Sequence, residues 1–118
     1  MPAPRPYPKE ATIVEGALAL ALRHRARKCY MRKTHGNAYT RSWPDLVGVI
    51  NTVPVMLEAK TVKGQATPRQ LQELRKWHET GAYTAIIRSV DDAEHIITAL
   101  INNQPPPPVN TDTFELER

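Results

Sequence analysis

An apolar run, Val55-Met56-Leu57, ends in Glu58-Ala59-Lys60. The run reads as a strand, and strand alternation puts Glu58 and Lys60 on one face with Leu57 and Ala59 on the other. Thirteen residues before Glu58 stands Asp45, preceded by Pro44. Bringing two carboxylates and an ammonium together is costly unless a metal and an anionic substrate compensate. Glu-x-Lys alone has little weight: at ~6% for each residue type, roughly 0.4 chance matches are expected in a chain this long. Its weight comes from context, since it sits on a strand, follows an acid at another strand's start and precedes a helix headed by an amide, Gln70. The bland alternatives are a turn-forming Asp after Pro for Asp45 and a solvated strand end for Lys60.

The order of elements around this feature follows from local chemistry. Thr12 reads as the N-cap of a first helix running to about Arg27, with Glu15 at the capping-box position. Glu15, Leu18 and Leu22 share one face of it, and Ile13, Ala17, Leu20 and Ala21 make the opposite side apolar too. A helix apolar nearly all round is buried on more than one side, which suggests a second subunit. A short basic strand near 28–33 and a polar loop from Thr34 to Pro44 follow. Leu46 to Asn51 is apolar and β-rich, and Asn51-Thr52 can turn it back into Val55–Lys60 as a hairpin. Thr67-Pro68 opens a helix to about Thr80, with Gln70, Leu74 and Trp77 on one face. Gly81 caps it, Tyr83 to Arg88 is a last buried strand, and Asp91 to Ile101 a last amphipathic helix. The expected fold is α/β in the order α-β-β-β-α-β-α, a mixed sheet flanked by helices.

At 118 residues the chain is expected to hold one domain, residues 10–103. It lies between a Pro-rich arm (1–9) and a Pro-rich acidic tail (104–118). Nothing resembles a signal peptide, and the stretch Gly16 to Leu22 is too short to span a bilayer. The single cysteine, Cys29, excludes an intrachain disulfide and a thiolate zinc site, so a cytoplasmic protein with no membrane partner is expected. The net charge of +4 conceals an asymmetry. From Gly16 to Pro44 there are seven basic residues and no acid, whereas from Asn102 onward three acids meet one Arg. A concentrated basic stretch is the electrostatic footprint of a polyanion. A solvated helix face is the competing explanation.

The residue types fit one chemistry. Mg²⁺ or Mn²⁺ takes oxygen ligands and keeps several waters, so Asp45, Glu58 and the backbone carbonyl of Ala59 make a candidate metal set. Lys60 beside it can orient the attacking water or stabilise charge developing on phosphorus. Glu15 could reach the site from the first helix, as a ligand through water or as a partner of Lys60. Gln70 could bond a substrate or a carboxylate, or simply start its helix. Arg25, Arg27, Lys28, Arg32, Lys33, His35, Tyr39, Arg41 and Lys63 are candidate phosphate contacts, and Trp43 could stack on an unpaired base. No P-loop, Gly-rich dinucleotide fingerprint or Cys/His zinc pattern is present.

Taken together, Lys33-x-His35-Gly36-x-x-Tyr39-x-Arg41, Pro44-Asp45, Glu58-x-Lys60 and Gly64-x-x-Thr67-Pro68-x-Gln70 resemble the VRR-NUC domain, a branch of the PD-(D/E)XK nuclease superfamily. The likeness runs from about Glu15 to Val90. It departs at Ser42-Trp43 and at the 51–54 hairpin, where glycine is common in the family. The resemblance implies a restriction-endonuclease-like core, with Asp45, Glu58 and Lys60 as the catalytic set and Glu15 and Gln70 as accessory residues. It also implies a metal-dependent endonuclease acting on branched DNA, such as junctions or flaps. Small stand-alone members occur in bacteriophages, so the resemblance implies a homodimer and, for a phage-encoded chain, the host cytoplasm. The alternative is a non-catalytic module of the same fold that binds DNA structure.

Overall fold

The structure is a computed structural model and describes residues 8–34 and 42–107. His35, Tyr39 and Arg41, with most of the N-terminal arm and of the acidic tail, lie outside the described residues. In chain order the elements are α1 (Glu10–Arg23), a short 3-10 turn (Arg25–Arg27), β1 (Cys29–Lys33), β2 (Leu46–Ile50), β3 (Val53–Ala59), α2 (Pro68–Glu79), β4 (Tyr83–Ile87) and α3 (Val90–Ile101). The expected order α-β-β-β-α-β-α is the observed one.

The four strands form one sheet in the order β1-β2-β3-β4. β1, β2 and β3 are joined antiparallel, and β4 lies parallel to β3. The antiparallel part follows from the Asn51-Thr52 turn, whose residues both have positive φ (49° and 72°), the requirement of a two-residue type I′ hairpin. The parallel pair needs a crossover, and α2 supplies it. Thr67 and Gln70 form a reciprocal capping box at its start, and Gly81 at φ 105° closes its end.

One sheet face carries Leu46, Ile50, Val55, Leu57, Ala59, Ala85 and Ile87, packed against α1 and α3. The other carries Met56 and Ile86 under Leu71 and Leu74 of α2. Gly16 brings α1 close to α3, because a Cβ there would collide with the side chain of Val90.

Helix α1 departs from its expected form at both ends. It begins at Glu10, with Lys9 as an N-cap that makes no side-chain bond, so Thr12 and Glu15 form no capping box. It ends at Arg23, and the chain reaches β1 through the 3-10 turn and Lys28 in the left-handed region (φ 61°). Its apolar breadth has an explanation inside one chain. Ile13, Val14, Ala17 and Ala21 are buried, and Leu18 and Leu20 pack partly against the same core. Of the large apolar residues of α1, Leu22 is the one that is mostly exposed, at 59%. No described helix is long and apolar enough to cross a membrane.

Candidate active site

The hairpin positions the acid pair. Its ladder ends with Leu46 opposite Leu57, so one step further Asp45 faces Glu58 across β2 and β3. Like charges directly opposite on a sheet repel, and the structure handles them unequally. The Asp45 carboxylate accepts a 2.8 Å hydrogen bond from the backbone N–H of Ala59. Glu58 is buried at 2% exposure, and its Oε2 has no hydrogen-bond partner. Burial, a hydrogen bond with Asp45 and the Asp45 charge push the Glu58 carboxyl up to about 10, with Lys60 pulling weakly the other way. Near neutral pH the Glu58 carboxyl is therefore held in its protonated form.

Lys60 follows directly after β3 and is also buried. Its backbone N–H bonds Ile87 at 3.0 Å. Its ammonium lies 3.9 Å from the carboxylate of Glu10, in the first turn of α1. Sequence reasoning missed Glu10, because a helix starting after Thr12 would leave it ahead of the helix. Glu15 lies elsewhere: its carboxylate pairs with Lys33 of β1 at 3.3 Å, both side chains largely exposed. Such a pair contributes little.

Gln70 is committed to its helix. Its side-chain oxygen accepts from the Thr67 N–H at 2.9 Å, and its own N–H donates to the Thr67 hydroxyl at 3.1 Å. The turn between Lys60 and α2 is held by Arg88, whose guanidinium donates to the carbonyls of Thr61 (2.7 Å) and Gly64 (2.5 Å). Lys63 is exposed on that turn. Trp43, two residues before Asp45, packs edge-on against Trp77 of α2 with ring centroids 6.1 Å apart and planes at 82°.

Among the described residues no three His, Cys, Asp or Glu side chains converge into a ready-made metal cage. The donor set nevertheless suits a hard divalent cation that keeps most of its water. It offers two facing carboxylates and a buried carboxyl oxygen without a partner. An extended residue shows its N–H and C=O to the same strand edge, so the Ala59 carbonyl looks toward Asp45 as its N–H does.

Of the candidate nucleic-acid contacts, Arg25, Lys28 and Arg32 are exposed along the 3-10 turn and β1. Arg27 makes a 3.4 Å bond to the side chain of Asn102.

Two solved structures share this architecture. One, described as a VRR_NUC domain protein, aligns at a TM-score of 0.69 and 15% identity, over 88% of this chain and 97% of that one. Another, described as a VRR_NUC domain, aligns at 0.58 and 22% identity, over 75% and 94%. No family model matches the sequence, and no curated protein does. The fold is thus the one found in VRR_NUC domain structures, a mixed sheet with flanking helices in agreement with a PD-(D/E)XK-like core.

Proposed function

We propose that the chain is a divalent-metal-dependent endonuclease that hydrolyses DNA phosphodiester bonds, with branched DNA as its preferred substrate. The observation that carries this reading is the facing pair Asp45 and Glu58, one of them buried with an unpartnered oxygen, beside the buried ammonium of Lys60. A core that places a carboxyl in such surroundings without function sacrifices stability for nothing.

Asp45, Glu58 and the Ala59 carbonyl would hold Mg²⁺ or Mn²⁺. When bound, the cation lowers the pKa of a coordinated water and offsets charge on the scissile phosphate. Asp45 is oriented for this by the Ala59 N–H. Lys60 supplies a fixed positive charge for the oxygens of the phosphate or for the attacking water, and Glu10 holds that ammonium in place. The name borne by both fold neighbours, VRR_NUC, supports a nuclease-type domain. The preference for branched DNA comes from the sequence resemblance.

The test is cleavage of labelled four-way junction, flap, duplex and single-stranded DNA with Mg²⁺, Mn²⁺ or EDTA. Asp45→Ala and Lys60→Ala proteins are purified in parallel. Metal-dependent cutting is expected, with rates at least about a hundredfold lower in both variants. Equal cutting by wild type and Asp45→Ala would expose a contaminant and refute the assignment. Tight binding without cutting would make the protein a structure-binding module.

A further inference from the structure

Helix α2 covers only half of its sheet face. Leu71 and Leu74 close over Met56 and Ile86 on β3 and β4, while among the described residues no helix covers the same face on β1 and the far end of β2. There Tyr30 and Val49 are direct cross-strand partners, 52% and 48% exposed. Arg25, Lys28, Cys29 and Thr52 complete a shallow groove of about 430 Å³ around them, with no acidic side chain in its lining.

Register ties this groove to the acid pair. Tyr30 pairs with Val49, and Arg32 with Val47. Val47 in turn pairs with Met56, two residues before Glu58. Alternation puts Val49, Val47 and Asp45 on one face of β2. Val49 and Asp45 are four residues apart, about 13 Å along the strand, and exposed Arg32 lies between their levels. A strand of a few nucleotides spans that distance.

We propose that this bare half-sheet binds a single-stranded segment of the nucleic-acid substrate. A base stacks on Tyr30, and the flanking phosphates lie against Arg25, Lys28 and Arg32. The proposal rests on the nuclease reading for its substrate. A duplex hides the faces of its bases and would leave Tyr30 nothing to stack on, whereas a single strand offers them. A second copy of this chain is a poor occupant, because a two-fold contact would set this basic surface against itself.

The test is fluorescence anisotropy of labelled oligothymidylate and of a duplex of equal length, in EDTA so that nothing is cut. Wild type, Tyr30→Ala, Tyr30→Phe and Arg25→Gln/Lys28→Gln are compared. Tyr30→Ala is expected to weaken oligothymidylate binding about tenfold and leave duplex binding unchanged. Tyr30→Phe, which keeps a ring, should bind like wild type. The double charge variant should lower the slope of log K against log salt by about 0.7 for each phosphate it no longer neutralises. Wild-type affinity of Tyr30→Ala for oligothymidylate would overturn the proposal. So would equal weakening for duplex, or a dimer in sedimentation that Tyr30→Ala dissolves. Catalysis is not read in this assay. Loss of Tyr30-dependent binding in a protein that still cuts would refute this surface alone. A protein that never cuts yet shows the binding pattern would refute the nuclease reading alone.

Discussion

Replacing Glu58 with Gln should stabilise the metal-free protein, and the gain should grow with pH. In the folded state the carboxyl is raised from an ordinary 4.5 to about 10. The folded state therefore keeps a proton that the unfolded chain releases above its ordinary pKa. Where the unfolded state binds fewer protons, stability falls as pH rises. The window opens near the unfolded value and closes near the folded one, with a slope of about 1.4 kcal/mol per pH unit. From about pH 5.5 to about pH 8.5 the wild type should lose about 4 kcal/mol through this group. That is a large share of a typical domain stability of about 5–15 kcal/mol. Glu58→Gln keeps the shape and cannot ionise, so it lacks this loss. Urea unfolding in EDTA at three pH values across the window measures the effect. All other side chains are common to the two proteins, so the difference between the two curves reports Glu58. Adding Mg²⁺ should flatten the wild-type curve, because a bound cation favours the charged carboxyl, and should affect Glu58→Gln less. Parallel curves for the two proteins in EDTA would show that Glu58 ionises freely, and the account of the buried pair would fail.

Two further substitutions test the strands that carry the site. Thr52 is β-branched at φ 72° in the hairpin turn, where glycine is preferred, so Thr52→Gly should raise stability by about 1 kcal/mol, seen as a higher urea midpoint; a lower one would contradict the turn geometry. A Cβ on Gly48 would collide with the Tyr30 carbonyl oxygen and come within 2.8 Å of the Met31 Cα. Gly48→Ala should therefore cost about 2–3 kcal/mol by forcing β1 and β2 apart, and an unchanged thermal midpoint would argue against the observed pairing.

Much of this was legible in the sequence because the element ends carry chemical punctuation. Thr67, Pro68 and Gln70 start α2 and Gly81 ends it, whereas the Ser89 hydroxyl that accepts the Asp92 N–H at the start of α3 went unread. The facing of Asp45 and Glu58 follows from the turn. A two-residue turn at 51–52 pairs Ile50 with Val53, and counting outward along both strands brings Asp45 opposite Glu58. Pro54 obscured this by placing the expected strand start at Val55. In the structure it pairs with Val49, next to the turn-closing pair, so its nitrogen faces the β4 side. The β4 ladder begins only at Val55, so the missing N–H forfeits no bond. The bare half of the sheet was not legible, since the width that α2 covers depends on packing rather than on local pattern.

The misplaced start of α1 shows what local signals cannot weigh. A Thr12–Glu15 capping box would satisfy two orphan N–H groups, an advantage of about 1 kcal/mol. Starting at Glu10 instead adds most of a turn, with Ile13 donating to the Lys9 carbonyl at 3.1 Å. It also sets a carboxylate at the positive end of the helix dipole. The larger gain is tertiary. Lys60 is buried at the end of β3, and a buried ammonium without an anion is far more costly than a missing cap. Glu10 provides that anion at 3.9 Å, which Glu15, turned toward Lys33, does not. Asp45 is already engaged by Glu58 across the strands and by the Ala59 N–H. The helix start is therefore set by the charge balance of the site. A divalent cation, if bound, would let Asp45 and Glu58 be charged together near neutral pH, and Glu10 supplies the Lys60 ammonium with an anion in either case.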